Sequence, residues 1–272
     1  MRIIDDHTHI NWYGYSAADV VRNMDEAGID KAWALTWQEL DGGTMRNYAH
    51  LSPEDVMAAA ARYPDRLVPF CALDPRRERV EDTLRELVGQ GCRGYGELKV
   101  RLMYDNPDCI RMYDLCAELG LPVLVHIDVP LPGIPFWYGG SIDALERAAH
   151  ACPRTTFIGH APGFWREITG TADRSSKLYP GGKVRPGGKI EKLLESCRNV
   201  YADLSGGSGL NALTRDPQHA VKFLATYHRK LLFGRDCYNN FLADFLDTLD
   251  LPRNVRANIM WRNAARLVPV DW

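Results

Sequence analysis

The sequence lacks the features that define several common classes of protein. Its 272 residues contain no apolar run long enough to span a membrane and no low-complexity segment. The formal net charge at pH 7 is -2, so no excess of basic residues indicates a nucleic-acid or membrane surface. No Gly-x-Gly-x-x-Gly follows the first predicted strand, which removes the usual signal of a dinucleotide-binding fold. We therefore expect a globular protein whose partner is a small molecule rather than a nucleic acid or a membrane.

Cysteine occurs seven times but never in a Cys-x-x-Cys pair. The odd number and the scattered positions give no disulfide framework, and several cysteines fall in apolar segments, as buried free thiols do. The first strand is predicted to begin at residue 2, so we expect no secretory leader. Cysteine usage and the absence of a leader both favour a reducing cytoplasm.

Short apolar runs rich in β-branched residues alternate with amphipathic segments along the chain. The predicted strands are Arg2–Ile10, Lys31–Trp37, Leu67–Leu73, Arg93–Val100, Pro122–Asp128, Thr155–Ala161, Val200–Ser205 and Lys230–Asp236. The predicted helices are Ser16–Ala27, Ser52–Tyr63, Arg79–Gly89, Cys109–Leu119, Ser141–Ala151, Lys189–Cys197, Pro217–His228 and Asn254–Leu267. Parallel strands need helical crossovers, so this alternation favours a parallel α/β sheet. The count and length predict a (β/α)8 TIM barrel in which residues 1–272 form a single domain, with a doubly wound open sheet as the alternative.

Two histidines close the first predicted strand. His7 and His9 are two residues apart, and residues at that spacing point to the same face of a strand. Two neutral imidazoles side by side form half of a site for a divalent metal. The alternative is a pair of unrelated histidines in a solvated turn.

Polar side chains also close several later strands. These are Glu97 and Lys99 on strand four, His126 on strand five, His160 on strand six and Asp236 on strand eight. Because active sites in this fold gather at the C-terminal ends of the strands, these residues are predicted to share one site with the two histidines. For His160, the alternative is a buried histidine of the core.

This pattern resembles the amidohydrolase superfamily, and within it the branch of aminocarboxymuconate-semialdehyde-decarboxylase-like, TIM-barrel metal-dependent hydrolases. The closing segment Asn263–Leu267 is similar to the helix that commonly ends proteins of that branch. One departure concerns strand eight, where the family usually has Gly-Ser-Asp or Gly-Thr-Asp. Here Arg235 precedes Asp236.

The resemblance implies a divalent metal, which the ligand types suggest is Zn²⁺, with Mn²⁺ or Fe²⁺ also compatible. The implied ligands are His7, His9, Glu97, His126, His160 and Asp236. Strand four leaves the metal count open, because related branches use a carboxylated lysine, a Gly-Glu pair or no residue there. The same two side chains, Glu97 and Lys99, could instead form an ion pair in the mouth of the barrel. We favour a mononuclear or weakly binuclear site in which Glu97 is an additional ligand and Lys99 is not carboxylated.

The implied reaction is attack by water on a small ester, lactone or amide, with an anionic substrate favoured. A divalent metal lowers the pKa of a bound water to about 7 and polarises the bond that is attacked. Asp236 is then the proton acceptor, and His160 hydrogen-bonds the developing oxyanion or acts as an acid. An alternative is non-oxidative decarboxylation of an unsaturated or aromatic acid at the same site. A third hypothesis is a metal-binding barrel without catalytic activity.

The segment that follows strand six, at about 162–189, is much longer than a usual connection and is predicted to be a lid or binding loop. Aromatic and cationic residues occur there and after other strands. The predicted substrate-binding residues are Trp12, Trp37, Lys99, Arg101, Trp165 and Arg166. Such groups favour a planar or apolar substrate with a carboxylate or phosphate. The alternative is a contact between copies of the chain in a homo-oligomer.

Overall fold

The computed structural model describes residues 1–38, 51–132, 137–172 and 177–272. Its strands are β1 (Ile4–His9), β2 (Lys31–Leu35), β3 (Leu67–Phe70), β4 (Tyr95–Leu98), β5 (Val123–His126), β6 (Phe157–His160), β7 (Val200–Asp203) and β8 (Leu231–Leu232). Its α-helices are α1 (Ala17–Glu26), α2 (Pro53–Arg62), α3 (Val80–Gly89), α4 (Pro107–Leu119), α5 (Ile142–Ala151), α6 (Pro162–Trp165), α7 (Lys189–Ser196), α8 (Gly206–Thr214), α9 (Pro217–Tyr227), α10 (Phe241–Asp247), α11 (Arg253–Ala257) and α12 (Asn263–Leu267).

All the strand pairs are parallel and join neighbours in sequence. One ladder has the order β1-β2-β3 and the other β4-β5-β6-β7-β8. Backbone hydrogen bonds link the two ladders at both edges. The amide of Cys71 donates to the carbonyl of Gly94 at 3.0 Å, and the amide of Asp6 donates to the carbonyl of Phe233 at 2.9 Å. The predicted (β/α)8 barrel fold is therefore confirmed.

The lower part of the barrel is filled with apolar side chains from most of the strands. These are Ile4, Trp33, Leu35, Val68, Phe70, Leu124, Ile158 and Leu232, with Ala264 and Val268 packed against them from the end of the chain. Trp33 and Phe70 stack at 4.5 Å between ring centroids. Because this layer closes the barrel from below, polar residues at the strand ends can meet only at the upper, C-terminal mouth.

Several helix starts follow local capping chemistry, which a short stretch of sequence shows directly. Ser16 and Asp19 form a reciprocal capping box at the start of α1. The side chain of Asn106 caps α4, and Pro107 occupies its first turn, so that helix begins two residues before the predicted Cys109.

Helix α8 was not predicted, because its first residues are Gly-Gly-Ser-Gly and glycine has low helix propensity. The structure shows why glycine is needed there. A Cβ at Gly209 would lie 2.1 Å from the carbonyl oxygen of Leu204. Within the long segment that follows β6, α6 is continued by a 3-10 turn at Arg166–Ile168. Residues 173–176 of that segment lie outside the described residues.

Among the described parts of the chain, the helices are all too short or too polar to cross a membrane.

Candidate metal centre

Six predicted side chains meet at the upper mouth of the barrel. They fall into three overlapping groups whose ligand atoms lie within 4.8 Å of one another: His7, His160 and Asp236; His7, His9 and Glu97; and Glu97, His126 and His160. Asp236 is 21% exposed, whereas the other five side chains are almost fully buried. Their assignment as metal ligands remains a prediction, and the ligand atoms within each group lie close enough together to bind one ion.

The first half of the site is formed by β1 and the segment after β8. The Nε2 atoms of His7 and His9 lie 3.2 Å apart. Asp236 Oδ1 lies 3.6 Å from His7 Nε2 and 3.5 Å from His9 Nε2. Glu97 Oε2 approaches from β4, at 3.9 Å and 3.6 Å from the same two nitrogens. Two imidazoles and two carboxylates therefore surround one point.

The second half uses the other oxygen of Glu97. Oε1 makes a short contact with His126 Nδ1 and lies 3.8 Å from His160 Nε2. Glu97 therefore stands between the two halves, as a bridging or shared carboxylate would.

Two of the imidazoles are oriented by acceptors outside this centre. His9 Nδ1 donates to the carbonyl oxygen of Leu35 at 2.9 Å, which leaves Nε2 facing the centre. His126 Nε2 contacts Asp128 Oδ2 at 2.8 Å, which leaves Nδ1 facing Glu97. Metal-binding histidines commonly have such an outer partner, because it fixes the tautomer and the ring orientation.

His7 and His160 share a single outer partner, Asp203, at the end of β7. Asp203 Oδ2 lies 2.8 Å from His7 Nδ1 and 3.0 Å from His160 Nδ1. Burial alone would raise the pKa of Asp203, but the two imidazoles hold it below its ordinary value. Asp203 is therefore an ionised acceptor, and the Nε2 atoms of both histidines face the centre.

The electrostatics of the buried groups fit a divalent cation. Burial lowers the pKa of His7, but the carboxylates of Asp236, Asp203 and Glu97 outweigh burial and raise it to about 9. Burial raises the pKa of Glu97, but His126 and Lys99 hold it well below its usual range. The carboxylates of the cluster are therefore ionised, and their negative charge favours a cation at this position. Imidazoles with carboxylates form a donor set suited to Zn²⁺ and similar ions.

Lys99 lies beside this centre and is buried. Its Nζ is 4.8 Å from the centroid of the Trp37 ring and 5.3 Å from that of Tyr138, so it makes cation-π contacts with both rings. Its charge also contributes to the lowered pKa of Glu97.

A cavity of about 210 Å³ opens above the centre. It is lined by Trp12, Tyr13, Trp37, Glu97, Lys99, His126, His160, Pro162, Tyr179, Gly206, Gly207, Ser208, Asp236 and Cys237. Three of the predicted substrate-binding residues, Trp12, Trp37 and Lys99, are in this lining. Tyr179 and Cys237 also line it and were not predicted, because no local pattern distinguishes them.

The other three predicted substrate-binding residues do not line this cavity. Trp165 is buried in the core, and its Nε1 donates to the carbonyl of Asp203 at 2.8 Å. Arg166 is buried and donates to the carbonyl of Ala172 at 2.6 Å. Arg101 is half-buried just after β4. The short helix α6 turns Trp165 inward, so a residue in a long loop need not face the mouth.

Arg235, the departure from the family pattern before Asp236, has a partner in β1. Its Nε donates to Asp5 Oδ2 at 2.8 Å, and its amide donates to Asp5 Oδ1 at 2.9 Å. Asp236 itself has a left-handed backbone with φ of 60°, which is strained for a residue with a side chain. Its amide donates to the carbonyl of His7 at 2.9 Å. The pairing between Asp5 and Arg235 therefore holds the segment that aims Asp236 at the centre.

This combination, a parallel α/β barrel with imidazoles and carboxylates gathered at its strand ends, defines a class of metal-dependent barrels. The family model for amidohydrolases matches residues 4–270, so the chain belongs to the amidohydrolase family. No curated protein matches the sequence.

Solved structures with the same fold include an uncharacterised TIM-barrel protein from Bordetella bronchiseptica, with a TM-score of 0.70, 16% identity and 98% of each chain covered. A probable 2-pyrone-4,6-dicarboxylic acid hydrolase from Acinetobacter baumannii has a TM-score of 0.64 and 16% identity, over 98% of this chain and 99% of that one. A dihydroxybenzoic acid decarboxylase from Polaromonas sp. JS666, with bound manganese and the inhibitor 2-nitroresorcinol, has a TM-score of 0.61 and 19% identity, over 98% of this chain and 96% of that one. At these identities the likeness shows the fold, and it does not separate hydrolysis from decarboxylation.

Proposed function

We propose that the chain is a divalent-metal-dependent hydrolase that acts on a small anionic ester, lactone or amide. The observation that carries this proposal is the convergence of four imidazoles and two carboxylates at one mouth of the barrel, with a ring nitrogen of each imidazole facing inward. Family membership supports it, because the chain matches the amidohydrolase model over nearly its whole length.

In this proposal the core ligands of the metal are His7, His9, His126 and Asp236, with Glu97 as an additional ligand. The separations of 3.2–3.9 Å around His7, His9, Glu97 and Asp236 support those four residues. His126 is linked to them through Glu97, whose Oε1 contacts its Nδ1. His160, which faces Glu97 and Asp236, is a further ligand if a second ion is held. We favour Zn²⁺ on ligand type, and the manganese in one similar structure makes Mn²⁺ the alternative. A bound divalent ion would lower the pKa of water and polarise the carbonyl of the substrate.

Asp236 is the proposed general base. It is the one member of the six that is partly exposed, and it lines the cavity where a substrate would lie. Burial opposes its ionisation, but His7, His9 and His160 hold its pKa below the ordinary value, so the side chain is an unprotonated carboxylate at neutral pH, the form in which a general base acts.

His160 is the proposed partner of the charge that develops on the substrate. Its Nδ1 lies against Asp203, and its Nε2 faces the cavity at 3.9 Å from Asp236 Oδ2. When both ring nitrogens carry a proton, a hydrogen bond from Nε2–H to an oxyanion would stabilise the transition state more than the ground state.

The lining of the cavity supports a planar, anionic substrate. Trp12 and Trp37 meet edge to face, with 5.9 Å between ring centroids, and Lys99 lies over the Trp37 ring. Their faces would pack on an unsaturated or aromatic group, and the ammonium group would attract a carboxylate. The cavity of about 210 Å³ restricts the substrate to a small molecule.

Non-oxidative decarboxylation of an unsaturated or aromatic acid is the second candidate. The same aromatic walls and buried cation favour it, and one similar structure is a decarboxylase that binds manganese. In that reaction no water is added, and an acid at the mouth returns a proton to the carbon that loses carbon dioxide.

A paired screen tests these reactions. Purified protein loaded with Zn²⁺ or Mn²⁺ is incubated with small lactones, esters and amides, and separately with unsaturated and aromatic acids. Release of a new acid group supports hydrolysis, whereas release of carbon dioxide supports decarboxylation. If neither appears with any substrate at full metal occupancy, the third hypothesis, a binding protein without catalysis, replaces both.

We also propose that residues 1–272 form one domain that works in the cytoplasm, with contacts between copies of the chain as a further possibility. The cysteines, all free and six of them buried, support a reducing compartment. Size-exclusion chromatography with light scattering would give the number of copies directly.

A further inference from the structure

We infer that Asp203, at the end of β7, is a positioning residue that orients both His7 and His160. One carboxylate would then fix the orientation of a metal ligand, His7, and of the catalytic imidazole, His160. This inference rests on the proposed metal centre. It concerns a residue that belongs neither to the six strand-end side chains nor to the lining of the cavity.

The geometry around Asp203 is unusually crowded with donors. Oδ2 lies 2.8 Å from His7 Nδ1 and 3.0 Å from His160 Nδ1, and it accepts the Ser205 hydroxyl at 2.7 Å. The Ser205 hydroxyl oxygen also lies 3.1 Å from His160 Nδ1, so this oxygen and Asp203 together face that nitrogen. Oδ1 accepts the Ser205 amide at 2.7 Å. Asp203, His7, His160 and Ser205 are all buried, so no bulk water competes for these bonds.

This arrangement fixes both imidazoles in the form that a metal centre needs. An ionised carboxylate can only accept, so each histidine must place a proton on Nδ1. Nε2 of His7 is then free of a proton when it binds a metal, and Nε2 of His160 faces the cavity. The two rings lie 4.3 Å apart between centroids, so a change in one would be felt by the other.

Asparagine reproduces only part of this role. If the side-chain NH₂ group of the asparagine takes the place of Oδ1, it faces the backbone amide of Ser205, and two hydrogen-bond donors then oppose each other. If the NH₂ group faces the histidines instead, it donates to Nδ1 and forces the proton onto Nε2. Either orientation removes part of the network, and the second places protons where the metal should bind.

Asp128 offers a matched comparison, because it contacts a different imidazole. Its Oδ2 lies 2.8 Å from His126 Nε2, and the described contacts give it no bond to His7 or His160. Asp128→Asn should therefore disturb one ring, whereas Asp203→Asn should disturb two.

The test uses the full chain and Zn²⁺ alone as the probe. Zn²⁺ affinity is measured by competition with a chelating dye, for wild type, Asp203→Asn and the control Asp74→Asn. Asp74 is a buried carboxylate that bonds to Arg76 and lies outside the metal centre, so its variant reports the general cost of losing a buried charge. We expect Asp203→Asn to weaken Zn²⁺ binding about 10–100-fold, the usual effect of losing an outer partner of a ligand. Asp74→Asn should bind within a factor of about three of wild type.

A spectroscopic readout separates positioning from a general loss of structure. In the Zn²⁺-loaded, ¹⁵N-histidine-labelled protein, the Nδ1–H protons of His7 and His160 should be visible far downfield and slow to exchange. Both should be lost or strongly shifted in Asp203→Asn and both retained in Asp128→Asn, which should alter the ring of His126.

The outcomes are distinct. If wild type binds no Zn²⁺, the proposed metal centre fails, and this inference fails with it. If wild type binds Zn²⁺ and Asp203→Asn binds equally well with both Nδ1–H signals unchanged, the inference alone is overturned. If Asp203→Asn does not fold, the Zn²⁺-loaded wild type still decides the question, because absence of either Nδ1–H signal contradicts the shared carboxylate.

Discussion

At the scale of single residues, Asp236 differs from the other five side chains of the centre in two respects. It is partly exposed to the cavity, and its backbone is left-handed. Both properties follow from its position just beyond β8, where the chain leaves the barrel and the side chain can face a substrate. The other five are enclosed by neighbouring strands, and their side chains are almost fully buried.

The role of Asp236 as a base predicts a large loss of turnover in Asp236→Asn. Asparagine keeps the shape and an oxygen ligand but removes the negative charge that accepts a proton. Turnover should fall about 10²–10⁴-fold, the usual size for a general base. The measurement is the rate of the metal-reconstituted variant on the substrate found in the screen, with metal content determined on the same sample. A variant that keeps more than about a tenth of wild-type turnover at full occupancy would exclude Asp236 as the base.

The paired histidines of β1 predict the loss of metal in a double variant, His7→Ala/His9→Ala. Removing both imidazoles leaves the centre with half of its nitrogen donors, so the purified variant should hold well under one equivalent of metal. Elemental analysis of protein never exposed to chelator gives the number. The matched control is His150→Ala/His228→Ala, which removes two histidines outside the centre and should leave metal content unchanged. Normal metal content in the first variant would contradict the ligand assignment.

At the scale of elements, the join between β1 and the segment after β8 is closed by a buried ion pair. Arg235 and Asp5 are 2% and 0% exposed and lie 230 positions apart in the chain. Because the amide of the next residue, Asp236, bonds to the carbonyl of His7, this join also sets the distance between the base and the paired histidines.

This join predicts a strong loss of stability when one partner is removed. Arg235→Met leaves the Asp5 carboxylate buried without its charged partner, which should lower the free energy of unfolding by about 3–5 kcal/mol. Urea denaturation followed by circular dichroism measures the change. The control is Arg22→Ala, which breaks the exposed pair with Asp19 and should change the free energy of unfolding far less, because solvent screens exposed charges. If the two substitutions lower the free energy of unfolding equally, the buried pair between Arg235 and Asp5 stabilises the protein no more than an exposed ion pair does.

At the scale of the whole molecule, the centre places two ionised carboxylates, Glu97 and Asp236, in the same mouth of the barrel. Ligands from β1, β4, β5, β6 and the segment after β8 meet there, so a bound cation would hold strands from both ladders together. Metal binding and folding should therefore be coupled.

This coupling predicts that a divalent metal stabilises the protein against heat and denaturant. With free Zn²⁺ at a hundred times its dissociation constant, the free energy of unfolding should rise by about 2.7 kcal/mol. Thermal unfolding with Zn²⁺ and with chelator measures the shift, and His7→Ala/His9→Ala should show none. An identical unfolding temperature for wild type under both conditions would contradict a metal held at the barrel mouth.

Much of this molecule could be predicted from short stretches of sequence. The barrel follows from alternating apolar strands and capped helices, because hydrophobic periodicity and capping depend on residues a few positions apart. The same local information placed His7, His9, Glu97, His126, His160 and Asp236 at strand ends, and the barrel then required those ends to meet. Asp203 also ends a strand, so the same rule could have found it.

Other features were decided only by the tertiary structure, because they depend on residues far apart in the chain. His7 and Asp203 are 196 positions apart, yet their side chains share a hydrogen bond. The sequence predicts Trp165 to be a loop residue near the substrate, but a short helix turns it toward the core, where its indole donates to the carbonyl of Asp203. Arg235 departs from the family pattern before Asp236, and only the tertiary structure brings it to its partner Asp5 across the join of the barrel. Sequence patterns give the direction of a side chain relative to its own strand or helix, whereas packing between elements decides which partner that side chain meets.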